Sequence, residues 1–147
     1  MSIAGIQEPR TQKPARILVC DDSPVNCVMV RRVLETENCE ISIATSGEEA
    51  LEVLRRDDFE LLLLDVEMPQ MDGFEVARRI RKQQLSDGFL PIVLLTGRTD
   101  QETKLEGLRA GANDFITKPF DPPELVARIK SLDRKSTRLN SSHRYVS

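Results

Sequence analysis

Four short apolar runs each end at a side chain able to do chemistry. Ile17-Leu18-Val19-Cys20 runs into Asp21-Asp22, and Leu61-Leu62-Leu63-Leu64 into Asp65. Pro91-Ile92-Val93-Leu94-Leu95 ends in Thr96, and Asp114-Phe115-Ile116-Thr117 ends in Lys118-Pro119. In open parallel α/β sheets, ligands and reacting groups gather at the carboxyl ends of the strands. Three carboxylates, a hydroxyl and an ammonium at such ends describe a pocket for a divalent metal and a phosphoryl group.

Taken singly, these residues have plainer explanations. An Asp-Asp pair is most often a turn with a capping acid, a lone lysine a solvated one, a strand-end threonine a cap. Asp65 shifts the balance, because an acid there would be repelled by Asp21 and Asp22 unless a cation neutralised the cluster. Hard divalent ions such as Mg²⁺ take oxygen ligands and keep several waters, so two or three carboxylates plus a carbonyl suffice. Asp65 is also the best nucleophile, since a carboxylate can accept a phosphoryl group as an acyl phosphate. A bound metal would cancel charge between carboxylate and phosphoryl oxygens. Lys118 would add a second positive charge, and Thr96 a hydroxyl donor to a phosphoryl oxygen.

The elements that must position these groups alternate five times. Strands are expected at Arg16–Cys20, Glu40–Ala44, Leu61–Asp65, Pro91–Thr96 and Asp114–Thr117. Three are near-continuous apolar runs, as in strands covered on both faces. Ser23-Pro24 opens the first helix, with serine capping and proline where its missing N–H is harmless. Val25, Val28, Met29, Val33 and Leu34 then repeat roughly at helical spacing. Ser46 with Glu49 makes a capping box for the second helix, whose apolar residues are Ala50, Leu51 and Leu54. Phe74, Ala77 and Ile80 mark the third. Glu102–Ala110 is the fourth, ended by Gly111. Pro122-Pro123 open the fifth, with Leu125, Ile129 and Leu132 as its inward stripe. Alternating strand and helix means an α/β fold, a parallel sheet with helices on both faces.

The chain has 147 residues, 21 basic and 24 acidic, for a net charge of −3. Four basic side chains and one acid fall after Leu132, so residues 1–132 carry 17 and 23. An acidic body of this kind argues against direct nucleic-acid binding, which needs a basic face. No apolar run approaches the ~20 residues of a membrane span, and no signal-peptide core opens the chain. Three cysteines without CxxC spacing suggest neither a disulfide framework nor zinc, and Cys20 is expected to be buried as a small hydrophobe. A cytoplasmic setting fits best. Residues 1–15 read as a flexible leader, 16–132 as one domain, and 133–147 as a disordered tail. That tail, from Asp133-Arg134-Lys135-Ser136-Thr137-Arg138, resembles the translation of a common sequencing adapter and is expected to be non-native.

Asp21-Asp22, Asp65-Val66-Glu67-Met68-Pro69-Gln70-Met71-Asp72-Gly73, Thr96-Gly97 and Phe115-Ile116-Thr117-Lys118-Pro119-Phe120 together closely resemble the receiver domain of two-component response regulators. The resemblance runs from about Arg16 to Leu132. It implies a flavodoxin-like (βα)5 fold with strand order 2-1-3-4-5 and its site at the switch point between strands one and three. It implies Asp65 as phosphoacceptor, Mg²⁺ on Asp21, Asp22, Asp65 and the backbone carbonyl of Glu67, Lys118 on the phosphoryl group, and Thr96 with Phe115 as the switch pair. Before phosphorylation Thr96 is then expected to lack a strong acceptor and Phe115 to be free to point outward. The implied partners are a sensor histidine kinase or histidine phosphotransfer protein and a downstream effector, with room for a homodimer through the helix 4, strand 5, helix 5 face. Two departures stand out. Gly97 replaces the usual Ala or Ser and would widen access to Asp65. Glu67 could bring a carboxylate near the site, where it would compete for metal or alter attack of water on the acyl phosphate.

Two other function classes fit the pattern less well. Phosphatases with an aspartyl nucleophile place a second acid two residues on, which Glu67 loosely mimics, but their nucleophile follows the first strand and Asp65 follows the third. A docking-only receiver usually lacks one of the acids or the lysine, and this chain has them all. No GxGxxG follows the first strand and no P-loop is present, so a nucleotide fold is not indicated.

Overall fold

A computed structural model describes residues 13–85 and 88–132. The expected tail, 133–147, and most of the expected leader lie outside the described residues. Five strands, β1 (Ala15–Cys20), β2 (Cys39–Ala44), β3 (Leu61–Asp65), β4 (Ile92–Thr96) and β5 (Asp114–Thr117), alternate with five helices, α1 (Pro24–Leu34), α2 (Gly47–Arg56), α3 (Gly73–Gln83), α4 (Gln101–Ala110) and α5 (Pro122–Leu132). All strand pairs are parallel and the order is β2-β1-β3-β4-β5. The expected α/β fold and strand order are both found, with strand ends displaced by at most one residue.

The apolar runs split by alternation, since successive side chains in a strand point to opposite faces. Leu18, Cys20, Leu62, Leu64, Ile92 and Leu94 build one core with α2, α3 and Ala110 of α4. Ile17, Val19, Leu61, Leu63, Val93, Leu95 and Ile116 build the other with α1 and α5. Continuous apolar sequence is what a two-sided core requires.

Helices α1 and α2 begin as their caps dictate, with one shift. Ser23 Oγ accepts from the Asn26 N–H at 3.3 Å and Ser46 Oγ from the Glu49 N–H at 3.1 Å. Glu49 Oε1, however, accepts from the N–H of Thr45 at 2.8 Å and its hydroxyl at 3.0 Å, so the box closes one residue earlier than expected. Gly111 ends α4 in the left-handed region at φ 105°, a conformation glycine adopts without steric cost.

One helix faces the core differently from its apolar spacing. In α1 the buried residues are Cys27, Val30 and Leu34, while Val25 and Val28 are 66% and 57% exposed and Met29 is also exposed. The stripe is decided by where Ser23-Pro24 starts the helix and by the small Cys27, whose Sγ sits 3.4 Å from the Asp21 carbonyl. Val30→Ala is therefore expected to lower stability by about 1–3 kcal/mol through lost burial and a cavity. Val28→Ala should change it by no more than about 0.5 kcal/mol. Urea unfolding of both variants checks this, and equal midpoints would contradict the orientation of α1.

Candidate functional site

Strand register brings the acids together. Cys20 pairs with Leu64, so the next residues, Asp21 and Asp65, emerge side by side from β1 and β3. Both are almost fully buried, at 1% and 2% exposure, while Asp22 is exposed. Asp21, Asp22 and Asp65 each offer a carboxylate oxygen within 4.8 Å of the others. An all-oxygen set with two buried acids fits a hard divalent cation. Asp21 is held in place from both sides, Oδ1 by the Ser23 N–H at 2.9 Å and Oδ2 by the Asn26 side-chain amide at 3.2 Å. Sequence reasoning missed Asn26. Its position three residues after the capping Ser23, on the turn above Asp21, is the signal that could have found it.

The cation of the site comes from the far side of the sheet. Asp65 pairs with Leu95, and Thr96 pairs with Thr117, so Lys118 follows one step beyond. Its N–H donates to the Thr96 carbonyl at 2.8 Å, the Lys118-Pro119 peptide bond is cis, and its Nζ donates to Asp65 Oδ1 at 2.6 Å. The loop after β3 closes tightly enough to require glycine. A Cβ at Gly73 would collide with the Asp65 carbonyl and lie 2.9 Å from Val66 Cα, and the Gly73 N–H donates to the Val66 carbonyl at 3.0 Å.

Burial raises the pKa of Asp65 to about 6, against the lowering effect of its hydrogen bond with Lys118, and the neighbouring Asp21 charge raises it further. For Lys118, burial acts downward, but the hydrogen bond and charge of Asp65, with Asp21 and Glu67, raise it overall. The site therefore holds more negative charge than a single ammonium removes.

One expectation about the switch pair is corrected. Thr96 does not lack an acceptor, because its Oγ1 donates to Glu67 Oε2 at 2.9 Å and accepts from the Arg98 N–H at 3.0 Å. Glu67 Oε1 lies 3.9 Å from Lys118 Nζ, so the Glu67 side chain faces the two groups expected to meet a phosphoryl oxygen. A carboxylate on a two-residue tether from Asp65 reaches exactly the donors that sequence order alone leaves unpaired, and its own N–H donates to Asp65 Oδ1 at 3.2 Å. Phe115 is placed inward here. It is half-buried and packs against the core beside Leu94. Gly97 has no atom within 4 Å of where a Cβ would sit, so packing does not demand glycine there.

Comparison with known proteins agrees with this geometry. The family model described as "Response regulator receiver domain" matches residues 17–130. The chain is 37% identical over 126 residues to the transcriptional regulatory protein TrcR of Mycobacterium tuberculosis, covering 86% of this chain and 48% of that one. It is 42% identical over 120 residues to the response regulator PleD of Caulobacter vibrioides, covering 82% of this chain and 26% of that one. It thus spans half or less of these relatives. Among solved structures, the receiver domain of the sensor histidine kinase PA1611 of Pseudomonas aeruginosa, which has magnesium coordinated in its active-site cleft, superposes with a TM-score of 0.73 at 27% identity, over 81% of this chain and 97% of that one.

The raised pKa sets a pH dependence with a definite sign. The folded state holds the Asp65 proton more tightly than the unfolded chain, whose carboxyl titrates at 3.8, so the cost of the ionised buried acid is present above about pH 6 and gone below about pH 4. In metal-free buffer, Asp65→Asn should be more stable than wild type by about 1–3 kcal/mol at pH 7.5, with the gap closing as pH falls toward 4. Urea unfolding across that range measures it, and equal stability at pH 7.5 would count against the assignment.

Proposed function

Since the chain belongs to the response regulator receiver domain family, we propose that Asp65 is the phosphoacceptor of a phosphorylation-dependent switch in a two-component phosphorelay. The observation that carries this reading is a carboxylate 2% exposed, beside the buried Asp21, with an ammonium 2.6 Å away. An Asp65 carboxylate oxygen attacks the phosphorus of a phosphohistidine, the nitrogen–phosphorus bond breaks, and an acyl phosphate forms as the imidazole leaves. The donor is the phosphohistidine of a sensor histidine kinase or histidine phosphotransfer protein. Val25, Val28 and Met29, exposed on the helix that begins two residues after Asp22, lie where such a donor would approach.

Asp21, Asp22, Asp65 and the Glu67 backbone carbonyl would hold Mg²⁺, which when bound supplies cancellation of charge between carboxylate and phosphoryl oxygens. Lys118 then balances a second phosphoryl oxygen. The Thr96 hydroxyl leaves Glu67 for a phosphoryl oxygen, and Phe115, one strand away, registers the change at the face formed by α4, β5 and α5. The chemistry is confined to this protein's own phosphoryl uptake and loss, with no separate substrate turned over. The readout belongs to an effector domain or partner, the α4-β5-α5 face is available for a homodimer, no direct nucleic-acid contact is involved, and the setting is cytoplasmic.

Acetyl phosphate with Mg²⁺ tests the assignment by intact-protein mass. Wild type should gain one phosphoryl group, Asp65→Asn none, and Lys118→Ala should be modified at least about tenfold more slowly. Chelation of the metal should stop the reaction. An adduct that persists in Asp65→Asn, or none on wild type, would refute the assignment.

A further inference from the structure

Helix α4 carries Gly107 in its interior, where glycine is the least favourable residue after proline. Its backbone does not demand glycine, for it lies outside the left-handed region. What demands it is a side chain on β5. A Cβ at Gly107 would lie 2.5 Å from Phe115 Cζ and 2.7 Å from Phe115 Cε1, with Leu94 Cδ1 at 2.8 Å. The Leu94 methyl is the end of a flexible side chain and can turn aside. The ring is rigid and held by the sheet, where Phe115 pairs directly with Leu94, two residues before Thr96 on the same face of β4. The inward ring therefore occupies the space that the missing side chain of residue 107 leaves open.

We propose that Gly107 is a positioning residue for the switch, its bare Cα forming the inward seat of Phe115, so that the side chain at 107 sets how readily the ring stays inward. The inference rests on the reading of Phe115 as the reporter of phosphorylation at Asp65. In the structure the seat is filled while the Thr96 hydroxyl donates to Glu67. If phosphorylation and the inward ring favour each other, a side chain at 107 that evicts the ring weakens phosphoryl binding by the same coupling factor. Residue 107 makes none of the site's contacts, so a purely structural role would alter stability and leave that affinity alone.

Beryllofluoride with Mg²⁺, a phosphoryl stand-in that binds reversibly, gives the measurement, with the Phe115 ring resonances reporting ring position. Gly107→Ala should shift those resonances and raise the beryllofluoride midpoint about fivefold or more. In a Phe115→Leu background the same substitution should move the midpoint less than about twofold. A folded Gly107→Ala with the wild-type midpoint overturns the proposal. Should Gly107→Ala fail to fold, recovery of folding in Gly107→Ala/Phe115→Leu supports the seat, and failure of that double variant overturns it. If wild type itself takes up no beryllofluoride, it is the Asp65 reading that fails, and the inference falls with it.

Discussion

Two carboxylates buried side by side at the ends of adjacent strands are the constraint from which the rest of this molecule follows. Asp21 and Asp65 are nearly inaccessible, and like charges in such a place repel unless something positive joins them. Lys118 reaches in from β5 for part of the compensation, and burial with the Asp21 charge still leaves the Asp65 carboxyl raised to about 6. The remaining surplus is what makes the pocket a place for a cation. Everything nearby holds this arrangement open. Ser23 and Asn26 pin Asp21, Gly73 lets the loop pass against the Asp65 backbone, and the Lys118 N–H ties β5 to the Thr96 carbonyl.

The same charge logic explains Glu67. It sits on the rim, where solvent softens the cost of another anion, and satisfies the Thr96 hydroxyl while facing Lys118. The Thr96 hydroxyl is thus already engaged, and under the proposed function its motion is an exchange of partners from Glu67 to a phosphoryl oxygen. Phe115 then stands on a different footing from Thr96. Its place depends on shape, on a glycine across the interface in α4, where the threonine's depends on charge. One residue answers to electrostatics and the other to packing, and their neighbourhood on paired strands joins the two.

Much of this was legible in the chain. Continuous apolar runs such as Leu61 to Leu64 fit strands covered on both faces, and each stops at a polar residue of the candidate site. Caps at Ser23, Ser46 and Gly111 fall where hydrogen-bonding capacity and backbone freedom put them. Strand order and site roles came from resemblance of motifs, because pairing is a long-range property that local pattern does not encode. The orientation of α1 was legible only in part, since Val33 and Leu34 of its apolar repeat pack on the core while Val25, Val28 and Met29 face solvent.

What the sequence determined by itself was the set of elements and the chemical identity of their ends, since hydrophobic period, capping and side-chain type are local properties of a chain. Tertiary structure alone decided which ends meet. Register placed Asp65 beside Asp21, the approach of α4 to β5 turned Gly107 into a seat for Phe115, and the tether at Glu67 delivered its carboxylate to Thr96 instead of the acidic cluster. Those outcomes depend on distances between residues far apart in the chain. Only simultaneous packing of all the elements sets such distances.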